Sequence, residues 1–318
     1  MALTKIFYAT DLHGSLKCWI KFLNAGKMYK ANCLILGGDM TGKAVVPIVK
    51  YSNGEFRFIH MGKDYVLPNE AAVEEHKKII ENAGYYPYVC DEKTYDELKA
   101  KPSLTDELFD RVEVEGMKKW VDIAAEKLKG TGIKCFICPG NDDKLAIDKV
   151  FTETEVVTTC EGKVQQIDGH HELIGCGWTN PTPWKLYREE TEEELYKRLD
   201  NYISLVKDIS NCVCDFHAPP YQSGLDEAQL LTGSVEGDDL KPKYGQTMAV
   251  GSTAVRSIVE KYQPLVVLAG HIHEGRGMTK IGRTECFNPG SAYEQGMLLG
   301  VVINLTENSV KNSQAVFG

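Results

Sequence analysis

Residues 265–276 read LVVLAGHIHEGR, and the rest of the chain is best interpreted outward from this stretch. The five apolar residues from Leu265 to Ala269 predict a short buried strand that ends at Gly270. His271 and His273 follow in the loop beyond the strand. Because they are two residues apart on an extended backbone, both imidazoles can project to one side, which suits a pair of metal ligands. An isolated His-x-His pair is also typical of ordinary loop histidines. Whether this pair binds a metal ion therefore depends on which other side chains reach the same edge of the sheet.

The composition limits the classes of protein to which the chain can belong. Its 318 residues suffice for one large α/β domain or two smaller ones. Acidic residues outnumber basic ones by 45 to 36 and the net charge is −9, which argues against binding to nucleic acid or to an anionic membrane. No signal peptide is indicated, and no apolar run approaches the roughly 20 residues of a membrane span. A cytoplasmic protein is therefore predicted.

The ten cysteines are scattered through apolar segments and do not form a dense disulfide framework. In a chain of this length they are interpreted as reduced, buried thiols, in keeping with a cytoplasmic location. Cys135 and Cys138 form a C-x-x-C pair, but no second pair exists. A strand through these residues would direct the two thiols to opposite faces, so a zinc or redox site is disfavoured here.

Polar clusters recur where predicted strands end. The four strands concerned and the clusters that follow them are Lys5–Thr10 with Asp11-Leu12-His13-Gly14, Cys33–Leu36 with Gly37-Gly38-Asp39, Lys134–Cys138 with Pro139-Gly140-Asn141-Asp142-Asp143, and Asn211–Phe216 with His217-Ala218-Pro219-Pro220. In open α/β sheets, ligands bind in the crevice beyond the carboxyl ends of the strands. These clusters are therefore predicted to converge with His271 and His273.

Between the second and third of these strands, the pattern of a strand followed by a polar cluster is interrupted. Residues 56–67 predict a hairpin, and residues 69–130 are rich in Glu and Lys and predict a mostly helical segment. Helical spacing is clearest at Met117, Trp120, Val121, Ala124 and Leu128. The segment is either in part an insertion that caps or borders the site, or an ordinary layer of helices on one sheet face. Further on, residues 156–176 predict successive strands, as in a local antiparallel stretch.

The clusters together supply imidazole, carboxylate and amide groups but no thiolate. This mixture suits Mn²⁺, Fe or Zn²⁺ better than a structural cysteine-type zinc site, whereas Ca²⁺ would prefer oxygen ligands only. The candidate ligands are too many for one ion. They are about the right number for two ions that share a carboxylate, roughly 3.5–4 Å apart, as in two-metal hydrolases of phosphoesters.

Five sequence blocks, D-L-H-G, G-G-D-M, G-N-D-D, F-H-A-P-P and G-H-I-H, resemble in order and flanking residues those of the calcineurin-like metallophosphoesterase superfamily, in particular its small prokaryotic single-domain members. They extend from Asp11 to His273. The resemblance implies a four-layer α/β/β/α sandwich of two mixed sheets, here as a single domain over residues 1–318. It also implies that one metal ion is held by Asp11, His13 and His273, that the other is held by Asn141, His217 and His271, and that Asp39 bridges them.

The predicted function follows from this arrangement. Two divalent ions, Mn²⁺ or Fe in the first place and Zn²⁺ as a further possibility, activate a bridging hydroxide that attacks the phosphorus of a small phosphoester substrate. No protein nucleophile is then required. The predicted activity is that of a phosphodiesterase. A phosphomonoesterase and a non-catalytic binding scaffold with the same fold are the alternatives, and the oligomeric state is left open.

One position departs from the family pattern. Most members have a histidine after the asparagine of the third block, where this chain has Asp142. That histidine is thought to protonate the leaving group or to hold the phosphate, whereas an ionised carboxylate would repel a phosphoryl oxygen. Asn141 and Asp142 are the candidate catalytic residues, and the role of Asp142 decides between redirected and weakened activity.

Three further features have competing explanations. Gly37-x₄-Gly42-Lys43 nearly matches a phosphate-binding P-loop, but Ala44 replaces the magnesium-binding Ser or Thr, so that motif is rejected. Asp143 is either a loop carboxylate or a residue that orients a ligand histidine. Thr179 and Asn180 either line the substrate pocket or belong to a structural turn.

Overall fold

The structure is a computed structural model that describes residues 3–233 and 239–318. Within these ranges the α-helices are α1 (Leu16–Met28), α2 (Glu70–Asn82), α3 (Glu92–Ala100), α4 (Pro102–Leu128), α5 (Asp148–Thr152), α6 (Glu192–Ile203) and α7 (Thr253–Tyr262). The strands are β1 (Thr4–Ala9), β2 (Cys33–Gly37), β3 (Val45–Lys50), β4 (Phe56–His60), β5 (Lys63–Leu67), β6 (Tyr86–Asp91), β7 (Lys134–Cys138), β8 (Thr158–Thr159), β9 (Gln165–Gln166), β10 (Glu172–Cys176), β11 (Cys212–Phe216), β12 (Glu227–Thr232), β13 (Lys241–Ala249), β14 (Val266–Leu268), β15 (Gly277–Ile281), β16 (Thr284–Asn288), β17 (Leu299–Leu305) and β18 (Val310–Phe317).

Two six-stranded mixed sheets form the main body. The first has the order β18-β17-β1-β2-β7-β8, with β1, β2, β7 and β8 parallel to one another. The second has the order β15-β16-β14-β11-β10-β9, with β16, β14, β11 and β10 parallel. The central strands β2, β10 and β11 are buried at every position, as parallel strands covered on both faces should be.

Three apolar clusters show that the two sheets are stacked between layers of helices. Tyr8 and Ile35 of the first sheet meet Val213 and Val266 of the second in one core. On its other face the first sheet packs against α1 and α4, and the second sheet packs against α6 and α7. The predicted four-layer α/β/β/α sandwich is therefore confirmed.

The alternation of side chains along β7 places the two cysteines of the C-x-x-C pair on opposite faces of the sheet. Cys135 faces the helices α1 and α4, whereas Cys138 faces the core between the sheets. All ten cysteines, which lie within the described ranges, are free and buried. The thiols thus contribute to packing, as the sequence predicts.

A smaller sheet of four strands, in the order β5-β4-β3-β6, is built from residues 45–91. It has its own core around Ile48 and Phe58. The predicted hairpin corresponds to β4 and β5. The segment 69–130 contains the helices α2, α3 and α4 but also β6, which completes this sheet beside β3.

One local prediction was wrong. Residues 156–176 do not form one antiparallel stretch, because β8 pairs in parallel with β7 in the first sheet while β9 and β10 belong to the second. The strands β12 and β13 form an antiparallel pair at the surface, for which the sequence analysis made no prediction. Among the residues that the structure describes, no helix is both long and apolar enough to cross a bilayer.

Candidate metal centre

The five polar clusters meet where β1, β2 and β7 of the first sheet and β11 and β14 of the second reach their carboxyl ends. The backbone is strained at this edge. Asp11, His13, Asp39 and His271 all have positive φ angles, of 54°, 41°, 46° and 65°. Non-glycine residues adopt this left-handed conformation at a cost, and it concentrates at functional sites.

Two three-residue groups lie side by side at this edge. In the first group, comprising Asp11, His13 and His273, one potential ligand atom from each residue lies within 4.8 Å of the others. The Nε2 atoms of His13 and His273 are 3.1 Å apart, and His273 Nε2 lies 3.5 Å from Asp11 Oδ1. In the second group, Asp39, His217 and His271 meet the same criterion.

Asp39 stands between the two groups. Its Oδ2 atom lies 3.4 Å from His217 Nε2 and 3.8 Å from His13 Nε2, while its Oδ1 atom accepts a hydrogen bond of 2.9 Å from the backbone N–H of Asp142. Gly140 is required for this approach, because a Cβ atom there would overlap the Asp39 carboxylate. One carboxylate oxygen thus faces both sets of imidazoles.

His217 and Asn141 present free, buried atoms to the second group. The Nδ1 atom of His217 contacts the carbonyl oxygen of Gly37 at 2.9 Å, which orients the ring and directs Nε2 into the site. Asn141 donates through Nδ2 to Glu189 at 3.3 Å. Asn141 Oδ1 and His217 Nε2 are buried and have no hydrogen-bond partner among the described residues, as expected of atoms available to a metal ion.

The charge states of the histidines differ within the site. Burial lowers the pKa of His13 to about 3 and that of His271 to about 4, so both imidazoles are neutral near pH 7. Burial also acts on His217, but the carboxylate of Asp39 outweighs it and raises the pKa to about 10. The same attraction overcomes the burial of Asp39 and holds the pKa of this carboxyl well below its usual range.

Asp142 lies at the rim of the site, where the family pattern has a histidine. Its Oδ2 atom is 3.5 Å from His13 Nδ1 and also forms an ion pair with the ammonium group of Lys43. Burial and the nearby Asp39 carboxylate raise the pKa of Asp142. Burial lowers the pKa of Lys43, but Asp142 and Asp39 outweigh it, so the net shift is upward. Sequence reasoning did not find this partner, since it rejected Lys43 together with the P-loop motif.

Asp143 holds the loop that carries Asp39. Its carboxylate accepts hydrogen bonds from the backbone N–H groups of Met40, Thr41 and Gly140 and from the Thr41 hydroxyl. These bonds fix the second motif loop against the third. Of the two explanations proposed from the sequence, the loop carboxylate is the one that the contacts support.

The end of β16 and the loop that follows it support the backbone around His271 and His273. Asn288 donates through Nδ2 to the carbonyl oxygens of Gly270 and Ile272, at 3.3 and 3.0 Å. Ser291 donates to the carbonyl oxygen of Asp11 at 2.6 Å, and the ring of Tyr293 lies 4.7 Å from that of His13. Asn288, Ser291 and Tyr293 lie outside the five sequence blocks, so the sequence analysis did not find this support.

Thr179 and Asn180 belong to a structural turn. Thr179 is fully buried and Asn180 donates to the carbonyl oxygen of Val250, which makes this segment a packed turn.

A further group of potential metal ligands lies beneath the site, where Cys138, Cys160 and Asp215 come within 4.8 Å of one another. Burial raises the pKa of Asp215 to about 7 and keeps the Cys138 thiol protonated, so this group is a poor set of ligands compared with the imidazoles above it.

A solved structure shares the architecture of this chain, whereas sequence comparison gives a partial match. No family model matches the chain. The uncharacterized protein MJ1162 of Methanocaldococcus jannaschii is 33% identical over 154 residues, which are 48% of this chain and 61% of that protein, so the match spans less than two thirds of the relative. The protein TT1561 of Thermus thermophilus has a similar structure, with a TM-score of 0.54 at 13% identity over 99% of each chain. A dimetal phosphatase from Danio rerio gives a TM-score of 0.45 at 7% identity over 98% of each chain.

The decisive observation is that two mixed sheets, stacked between helices, bring all five sequence blocks to one edge. The chain has a four-layer α/β/β/α fold, which it shares with TT1561. Its second and third motif loops are joined by Asp143, and its first and fifth are joined by Asp11, which accepts hydrogen bonds from the backbone N–H of His271. The loops that carry the candidate ligands are therefore held by one another as well as by the strands.

Proposed function

We propose that the protein is a dinuclear metal-dependent phosphoester hydrolase whose preferred substrates are small phosphodiesters. The observation that carries the proposal is the position of Asp39, whose Oδ2 atom faces His13 on one side and His217 on the other. Asp11, His13 and His273 would hold one ion, and Asn141, His217 and His271 the other, with Asp39 shared. The donor set fits Mn²⁺ or Fe, and also Zn²⁺.

The protonation and burial of the donor atoms suit the binding of cations. His13 and His271 are neutral near pH 7, and Asn141 Oδ1 is buried and unpaired among the described residues. Despite burial, the pKa of His217 is raised to about 10 by Asp39, so His217 would release the proton on Nε2 when it binds an ion. When bound, two divalent cations supply Lewis-acid activation of water and of the phosphoryl group. The residues of the chain hold the reacting groups in place, and the strained loops around Asp11 and Asp39 fix the geometry before the substrate arrives.

The remaining features agree with a small substrate in a reducing compartment. The net charge of −9 argues against binding to nucleic acid, and the free buried thiols favour the cytoplasm. We further propose that the chain acts as a single domain in which the small sheet borders the site, since the turn between α2 and β6 contacts the loop that carries Lys43.

The proposal is tested by metal analysis together with a substrate panel. Protein purified without chelator should contain about two ions of Mn, Fe or Zn per chain, or take up two Mn²⁺, and should hydrolyse diesters faster than monoesters. Asp39→Ala should lower kcat/KM by more than about 100-fold, because even residues that only orient metal ligands are worth 10- to 100-fold.

Asp64→Ala is the matched control, because Asp64 is an exposed aspartate on β5. Turnover that survives Asp39→Ala, or protein that takes up no Mn²⁺, would contradict the proposal. Faster hydrolysis of monoesters would retain the metal centre and overturn the substrate preference.

A further inference from the structure

The loop that carries Lys43 is held at four consecutive positions. The backbone N–H groups of Met40 and Thr41 donate to the carboxylate of Asp143, at 3.0 and 2.8 Å. The N–H of Gly42 donates to the Tyr86 hydroxyl at 2.8 Å, and that of Lys43 donates to the carbonyl oxygen of Gly84 at 3.1 Å. A P-loop binds phosphate through such N–H groups, and here all four are occupied. Only the side chain of Lys43 is available to an anion.

The Lys43 side chain is directed to the metal centre by Asp142. The carboxylate that pairs with its ammonium group also lies 3.5 Å from His13 Nδ1. The backbone N–H of Asp142 is bonded to Asp39, so the base of this side chain is fixed to the residue between the two ligand groups. Both members of the pair remain accessible at the rim, with 39% of the Lys43 side chain and 18% of the Asp142 side chain exposed. Both side chains can therefore be reached from solvent.

We propose that Lys43 is a substrate-binding residue that contacts a non-bridging phosphoryl oxygen, and that Asp142 positions its ammonium group and limits its net charge. This inference rests on the proposed function and assigns a cation to the position that lacks the family histidine. A carboxylate alone would repel the phosphoryl group, and a lysine alone would favour the most highly charged ester. The pair gives a charge-assisted contact with little net attraction for a second negative charge.

Substitution of Lys43 and substitution of Asp142 should affect kcat/KM in opposite directions. Lys43→Met removes the contact and leaves the carboxylate of Asp142 unpaired, so kcat/KM for diesters should fall by about 10- to 100-fold, the range expected for a hydrogen bond to a charged group. Asp142→Asn removes the negative charge but retains Lys43. It should raise kcat/KM for dianionic monoesters relative to monoanionic diesters.

A double-mutant cycle separates this role from a structural one. In the Asp142→Asn background, Lys43→Met should cost less than it does in the wild type, because no unpaired carboxylate is left behind. Lys261→Met is the matched control, since Lys261 is a half-exposed lysine that is also paired with a carboxylate, that of Asp200, at the end of α7 before the amino end of β14. Additive effects in the cycle, or equal losses on every ester regardless of charge, would overturn the inference.

Binding of inorganic phosphate to the Mn²⁺-loaded protein, measured by isothermal titration calorimetry, gives a readout that does not depend on turnover. Lys43→Met should weaken phosphate binding by about 10-fold or more, and Asp142→Asn should strengthen it. Wild-type protein that binds phosphate but hydrolyses no ester would refute the proposed function and leave the role of Lys43 standing. Equal phosphate affinity in the wild type and Lys43→Met would refute that role, whatever the turnover.

Discussion

Tyr293 lies against the candidate metal centre and is not one of its proposed ligands. Its ring is 4.7 Å from that of His13 and 6.0 Å from that of His273, and only 6% of the residue is exposed. Such a flat, buried surface restricts the orientation of both imidazoles. We expect Tyr293→Leu to weaken Mn²⁺ binding by roughly 10-fold, the lower end of the effect of residues that orient metal ligands. Calorimetric titration with Mn²⁺ measures this change.

Tyr293→Phe is the control for this prediction. The hydroxyl makes one long contact of 3.5 Å with Glu294, so its loss should leave the affinity for Mn²⁺ close to that of the wild type. Unchanged affinity in Tyr293→Leu would show that the strained backbone alone positions the histidines.

At the level of single residues, sequence reasoning was strong where a side chain directly follows a strand. Asp11, Asp39 and His217 reach one edge because the carboxyl ends of parallel strands must do so. It failed where a side chain's partner comes from another loop. The pairing of Asp142 with Lys43 depends on how two loops approach each other, and neither loop's sequence specifies that approach.

The turn between α2 and β6 connects the small sheet to the metal centre. Gly84 has a φ angle of +87°, and a Cβ atom there would overlap the carbonyl oxygen of His13. Its own carbonyl oxygen accepts the hydrogen bond from Lys43. Gly84→Ala should therefore displace the turn and lower kcat/KM by about 10- to 100-fold, since small misplacements in an active site are costly. Steady-state kinetics on a diester measures the loss.

Gly54 provides a closely matched control. It has a φ angle of +86°, but a Cβ atom there would meet nothing within 4 Å. Both alanine variants should lose about 1–2 kcal/mol of stability from the left-handed backbone, whereas only Gly84→Ala should lose activity. Equal activity in the two variants would mean that the turn does not support the site.

The elements themselves were predictable to different degrees. The apolar runs of β1, β2, β7 and β17 stand out in the sequence because parallel or central strands are buried on both faces. Strands β12 and β13 were missed, since β13 is exposed at nearly every position and has no apolar alternation to reveal it. Strand β6 was missed because its polar surroundings in the chain suggest a continuous helical segment.

Across the whole molecule, helix α4 joins the small sheet to the sandwich. Leu108 and Val112 pack with Tyr86 of the small sheet, and Met117 and Trp120 pack in the main core. The helical spacing at residues 117–128 predicted the contact with the main core. The contact with the small sheet could not be predicted, because only β4 and β5 of its four strands were recognised in the sequence. Between the two contacts lies Glu113, which is 2% exposed and 3.0 Å from the ammonium group of Lys144.

The buried carboxyl of Glu113 should make the stability of the whole protein depend on pH. Burial raises its pKa from 4.5 to about 7, despite the attraction of Lys144. Between these values the folded state retains a proton that the unfolded state has released, so this stabilisation is complete below about pH 4.5 and is lost as the pH rises through about 7. Glu113→Gln remains neutral. From pH 5 to pH 8, its free energy of unfolding should therefore rise relative to the wild type by on the order of 2 kcal/mol.

Urea denaturation of the wild type and Glu113→Gln at each pH measures this difference, and titrating groups common to both proteins cancel in it. Glu115→Gln on the same helix is the control, because it makes the same chemical change at a side chain that is 65% exposed. If the Glu113→Gln difference is the same at pH 5 and pH 8, the carboxyl of Glu113 is already ionised throughout this range. The joint between the small sheet and the sandwich would then be held by an ion pair with Lys144, and not by a buried neutral acid.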